Sequence, residues 1–91
     1  MDENQELERK FNKYVYAVKK LESVDDNDKL YLYANYKQAL FGNNDKEKPS
    51  ILNRVEMAKW KEWNSLNDVT KERAMKNYII RVKELYKKID R

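Results

Sequence analysis

The sequence predicts an all-α domain of four helices, and three observations carry that expectation. A single Gly and a single Pro in 91 residues are too few to turn the chain at the short intervals an all-β fold requires, whereas helices need few breakers. Apolar residues recur at alternating spacings of three and four along separate stretches, which is the period of a helix face. A hydrophobic fraction of 41% with seven Tyr, two Trp and two Phe is enough to build a core, so the mean hydropathy of −1.11 reflects a charged surface and not disorder. At this length residues 1–91 form one domain, which buries only about two-thirds of the surface its unfolded chain exposes. There is room for one core and one shallow site.

Leu7, Phe11, Tyr14, Val18 and Leu21 share one helical face and predict the first helix over about 7–22. Residues 23–27 form a polar break, in which Asp25 and Asp26 can cap the second helix and favour its positive end. That helix runs over about 26–41, and Gly42 ends it because Gly enters the left-handed cap conformation without steric cost. Residues 43–50 have no apolar period, and Pro49 disfavours helix in the residue before it, so they form the longest loop. The third helix, over about 53–66, places Trp60 and Trp63 about one turn apart, and 67–69 break it. Thr70 caps the fourth, over 70–89, where Ala74, Met75, Tyr78, Val82, Leu85 and Ile89 make an apolar stripe. Lys71, Lys76, Lys83, Lys87 and Lys88 lie largely outside that stripe.

Composition removes several classes of function. Without Cys or His there is no disulfide framework, no thiolate metal site and no common zinc ligand, so no metal is expected and packing must supply stability, as suits a reducing compartment. Ser23, Ser50 and Ser65 have no His to act as base, and no Gly-rich phosphate loop exists, so the chain is not expected to be an enzyme. The first six residues lack a basic and an apolar region, and nowhere do eighteen apolar residues run together, which predicts a cytoplasmic protein. The formal charge of +4 favours anionic partners, among them nucleic acid, phosphorylated metabolites and acidic membrane surfaces. No stripe beyond the core faces points to an oligomer, so a monomer is expected.

Two lysines interrupt apolar rows. In the second helix Leu30, Tyr33, Lys37 and Leu40 share a face, with Tyr36 on its edge; in the third, Leu52, Val55, Lys59, Trp63 and Leu66 do so. An unpaired ammonium cannot enter a core without a cost of several kcal/mol. Two readings stand: the lysines snorkel, their stems on the core rim and their charges in water, or they converge on a bound phosphate beside tyrosine rings that stack a base. Tyr16, Tyr31 and Tyr86 are read as half-buried with wet hydroxyls, while Tyr33, Tyr36 and Tyr78 are the candidates for a site.

The stretch Leu30-Tyr31-Leu32-Tyr33-Ala34-Asn35-Tyr36-Lys37-Gln38-Ala39-Leu40-Phe41-Gly42 closely resembles the Tyr-x-x-Tyr-Lys-Gln-Ala-x-x-Gly signature of the acyl-CoA-binding protein family. Pro49, Ala58-Lys59-Trp60-Lys61-Glu62-Trp63-Asn64 and Ala74-Met75-Lys76-Asn77-Tyr78-Ile79 follow in family order, so the likeness covers nearly the whole chain. It implies a four-helix up-down-down-up bundle, the long loop allowing consecutive helices to run parallel. It implies that Tyr33, Lys37 and Lys59 hold the 3′-phosphate of CoA, that Tyr36 stacks on adenine and that Tyr78 contacts the nucleotide. Lys19 aligns near the nucleotide, and Val15, Val18 and Leu30 where the family lines its acyl groove. The family's usual Pro-Gly-Met-Leu-Asp is here Pro49-Ser50-Ile51-Leu52-Asn53, Lys29 stands where an apolar groove residue is common, and one residue is missing near Val24 and Asp25.

The function so implied is that of a carrier and buffer for medium- to long-chain fatty acyl-CoA, needing no cofactor and in passing contact with acyl-CoA-using enzymes or membranes. Two other classes fit the residues: a nucleic-acid-binding helical module, which would weaken steeply with salt and ignore an acyl group, and a protein-interaction bundle with a vestigial site.

Overall fold

The computed structural model describes residues 2–89, which form four helices: α1 (Glu3–Val18), α2 (Asp26–Phe41), α3 (Arg54–Asn64) and α4 (Lys71–Ile89). They make the expected up-down-down-up bundle, with α4 packed on α1 and α2, and α3 packed on α2.

The helix ends follow local hydrogen bonding. α1 begins four residues before the apolar period does, because Asp2 forms a capping box with Gln5: the Gln5 N–H donates to Asp2 Oδ1 at 2.8 Å and the Asp2 N–H to Gln5 Oε1 at 3.2 Å. It ends at Val18, short of the expected Glu22, and Leu21 packs on the core from the connection that follows. α2 has the expected bounds, with Asp25 Oδ1 accepting from the N–H groups of Asn27 and Asp28. Gly42 ends it with φ 79°, as expected, but its ψ of −149° lies outside the left-handed helical region. Asn53 caps α3, which stops at Asn64, and the Arg73 N–H donates to Thr70 Oγ1 at the start of α4.

The core joins Phe11 of α1, Leu32 and Ala39 of α2, and Ala74, Met75, Tyr78, Ile79, Val82 and Leu85 of α4. The Phe11 ring meets Tyr78 edge-on, centroids 5.2 Å apart. Two amides of α2 are buried within this packing. Asn35 donates to the Tyr31 carbonyl and accepts from Asn77 Nδ2. Gln38 donates to Asn43 Oδ1 at 2.9 Å and to the Val69 carbonyl at 2.8 Å, while its Oε1 accepts from Trp63 Nε1 at 3.1 Å. One side chain of α2 thereby holds both connections that flank α3. Among the described residues no buried side-chain nitrogen or oxygen lacks a partner.

Three expectations are corrected. The row Leu52, Val55, Lys59 is not a buried face: Leu52 and Val55 are exposed, and Trp63 is the buried residue of α3, because that helix has α2 as its one helical neighbour. Leu40 and Ile89, placed on core stripes, are exposed at the bundle's edges. The Tyr86 hydroxyl is not wet; it donates to the Ala17 carbonyl at 2.7 Å and ties α4 to the end of α1.

Candidate functional site

An open cleft of about 560 Å³ lies between the end of α1, the connection after it, α2 and α4. Tyr33 and Tyr36 of α2 and Tyr78 of α4 line it, Lys19 stands at the end of α1, and Val18, Leu21, Val24 and Leu32 supply apolar wall. The helix period explains the α2 share, since Lys29, Leu32, Tyr33 and Tyr36 succeed one another at steps of three, one and three on one face. Lys29 accordingly stands in the cleft lining. A smaller recess of about 170 Å³ adjoins it, lined by Pro49, Lys59, Trp60 and Trp63, and the Tyr33 ring borders both.

Both interrupting lysines stand over that ring. Lys37 Nζ lies 5.7 Å and Lys59 Nζ 5.4 Å from the Tyr33 centroid, one ammonium from each of two helices. Lys37 also stands 5.1 Å from the Phe41 centroid and 5.8 Å from that of Trp63, so its charge rests on a shelf of three aromatic faces. Trp63 is fixed beneath it, its indole N–H shared between Gln38 Oε1 and the Gly42 carbonyl at 2.9 Å. Lys59 pairs loosely with Glu56 at 3.7 Å on an exposed surface, an interaction too weak to hold it from a stronger anion. Both lysines are half-buried: stems on the rim, charges available.

Tyr78 is the most enclosed ring of the cleft, 4% exposed. Burial, and after it the neighbouring Tyr36, pushes its pKa up to about 12, so its hydroxyl stays neutral and can donate a hydrogen bond. Among the described residues no three His, Cys, Asp or Glu side chains gather as a metal site would require. Cations beside aromatic faces and an apolar wall suit an elongated ligand with an anionic planar head and an aliphatic tail.

Of the positions singled out in the sequence, Tyr33, Tyr36, Tyr78, Lys19 and Val18 line the cleft, Lys59 the adjoining recess, and Lys37 the aromatic shelf beside it. Val15 and Leu30 are half-buried outside the cleft lining, Val15 packed on the core. Sequence reasoning passed over Leu32, which the step of four from Tyr36 could have found. It also passed over Val24, and read Leu21 only as a core position of the first helix; both sit on the irregular connection after α1.

A family model described as "Acyl CoA binding protein" matches residues 8–82. The chain belongs to the acyl-CoA-binding protein family. It is 43% identical over 79 residues to the acyl-CoA-binding protein of Saccharomyces cerevisiae, the match spanning 86% of this chain and 91% of that one. It is 41% identical over 80 residues to acyl-CoA-binding domain-containing protein 3 of Oryza sativa subsp. japonica, spanning 87% of this chain and 52% of that longer protein. The crystal structure of Oryza sativa acyl-CoA-binding protein 2 superposes with a TM-score of 0.92 at 32% identity over 97% of both chains. The acyl-CoA-binding protein fold therefore extends over essentially all the described residues.

Proposed function

We propose that the chain is a monomeric cytoplasmic carrier that binds and buffers medium- to long-chain fatty acyl-CoA thioesters and breaks no bond. The observation that carries this reading is that Lys37 and Lys59, from different helices, both stand over the Tyr33 ring on the border of the tyrosine-lined cleft. On this reading Lys37, Lys59 and Tyr33 hold the 3′-phosphate, Tyr36 stacks on the adenine, Tyr78 donates to the nucleotide and Lys19 balances charge nearby. Val18 offers the acyl chain an apolar wall, and the family likeness sets Val15 and Leu30 along the same groove.

The magnitudes support an anchored aliphatic ligand. Each buried methylene contributes about 0.8 kcal/mol, so a chain of ~14 carbons gains on the order of 10 kcal/mol before ordering costs, enough for nanomolar binding. The phosphate contacts supply direction, since a free fatty acid lacks the group that two ammoniums would grip. Lys29 in the cleft lining puts a charge on part of the apolar wall.

Calorimetric titration tests the reading. Long-chain acyl-CoA should bind orders of magnitude more tightly than CoA, and Lys37→Ala or Lys59→Ala should each weaken it by about 2–4 kcal/mol, while Lys87→Ala on the outer surface changes it little. Equal losses from all three variants would remove the site from the protein. Affinity indifferent to the acyl group and falling steeply with salt would make the protein a nucleic-acid binder instead.

A further inference from the structure

The most exposed ring of the aromatic shelf is the one with the least to do for the fold. Phe41 is 62% exposed and belongs neither to the core nor to the residues packed on it. Trp63, by contrast, is buried and shares its indole N–H between two acceptors, and Tyr33 is half-buried on the border of the cleft. A phenyl ring left in water at a helix end contributes little to stability. Its centroid nevertheless lies 5.1 Å from Lys37 Nζ, nearer than those of Tyr33 and Trp63, and 6.4 Å from the Trp63 centroid. The helix period sets this contact, since Lys37 and Phe41 are one turn apart on α2.

Lys37 is held differently from every other cation among the described residues. Its ammonium stands over three rings, while Lys20, Lys48, Lys59, Arg81 and Lys83 each stand over one. Among the described residues no carboxylate pairs with it, in contrast to Lys59 with Glu56 and Arg81 with Asp28. The distinction matters for an ammonium that grips a phosphate. A carboxylate partner offsets the charge and competes with the incoming anion, so part of the gain is lost in breaking the pair. An aromatic face attracts the cation through its quadrupole and leaves the full charge for phosphate oxygens. Rings on several sides also restrict a flexible stem whose rotamer freedom is otherwise lost on binding.

We infer that Phe41 is a positioning residue for the nucleotide: its ring completes the shelf that holds the Lys37 ammonium over Tyr33, where Lys59 also stands, before any ligand arrives. The inference rests on the carrier reading and adds to it a residue outside the lining of both the cleft and its adjoining recess, which acts on the 3′-phosphate through Lys37. The effect is therefore confined to ligands that bear this phosphate. The face of the ring is what matters, so tyrosine can replace phenylalanine and leucine cannot.

Calorimetric titration of Phe41→Leu and Phe41→Tyr with palmitoyl-CoA and with its 3′-dephospho form tests this. Leucine should weaken palmitoyl-CoA binding about two- to fivefold, the loss of one exposed cation–ring contact. It should leave affinity for the dephospho form unchanged and add no further loss in a Lys37→Ala background. Tyrosine should keep wild-type affinity, and the urea midpoint should be the same in all three proteins because the site is exposed. In the ligand-free protein the rings should hold the Lys37 ε-methylene proton resonances upfield, and Phe41→Leu should move them part of the way toward those of the other lysines. An equal loss for both ligands would overturn the inference by making the ring an ordinary wall contact, as would Lys37 resonances that do not move. A wild type that binds no palmitoyl-CoA defeats the carrier reading and the inference with it, whereas a wild type that binds, beside a leucine variant of equal affinity, defeats the inference alone.

Discussion

Tyr78 combines two roles that pull in different directions. Its ring is core, edge-on to Phe11 and with its centroid 6.4 Å from that of Tyr36, while the residue also lines the cleft. Enclosure holds its pKa up to about 12 against an ordinary value of 10.0, so the folded protein binds this proton more tightly than the unfolded chain does. The stability this represents is fully present below pH 10 and is lost as pH rises through 12, a change of order 2–3 kcal/mol. Urea unfolding of the wild type and Tyr78→Phe across pH 9 to 12 isolates the effect from the other tyrosines and the lysines. The wild type should lose more stability over that window than the variant, and parallel curves would remove the coupling. Lys37 and Lys59 stood out in the sequence as charges in apolar rows, although Leu52 and Val55 of the Lys59 row are exposed. Their standing over one ring was not legible there, since spacing fixes a residue's face and says nothing of which face of another helix it meets.

At the level of the elements, Gly42 is where backbone geometry decides most. With φ 79° and ψ −149° it occupies a conformation essentially reserved for glycine, while the space a Cβ would enter holds only Lys71 Cε at 3.7 Å. The cost of Gly42→Ala is therefore conformational and not steric: about 1–3 kcal/mol, read as a lower urea midpoint at an unchanged slope. A neutral substitution would show that the α2 end relaxes to another conformation. Its carbonyl also accepts from Trp63, so the strain is felt at the aromatic shelf under Lys37. The bounds of α2 and the cap of α4 could be read from side chains that bond their own backbone, Asp25 and Thr70. The start of α1 escaped the periodic reading because Asp2 and Gln5 carry no apolar signal, and its end because Leu21 keeps the period while packing from outside the helix. The third helix misled most: Leu52 and Val55 keep the spacing of a buried face, but only a second neighbouring helix would have buried them.

Taken whole, the molecule is a three-helix body with a fourth helix applied to one side. α1, α2 and α4 share the apolar core, whereas α3 is fastened through α2, by Trp63 and by the amide of Gln38 holding the connections on either side. Local opening follows such asymmetry, because a helix with few apolar contacts separates at lower cost than the core does. Amide hydrogen exchange should be faster over residues 54–64 than over residues 74–85 in the free protein, and uniform protection would show the two halves to be one cooperative unit. The attachment of α3 has a consequence for any occupant that Lys37 and Lys59 grip jointly. Such a molecule rivets a hinged panel to its frame, so part of its binding energy goes into stilling that panel. Affinity and rigidity then rise together, and a loosened Trp63 would weaken the grip without touching the guest.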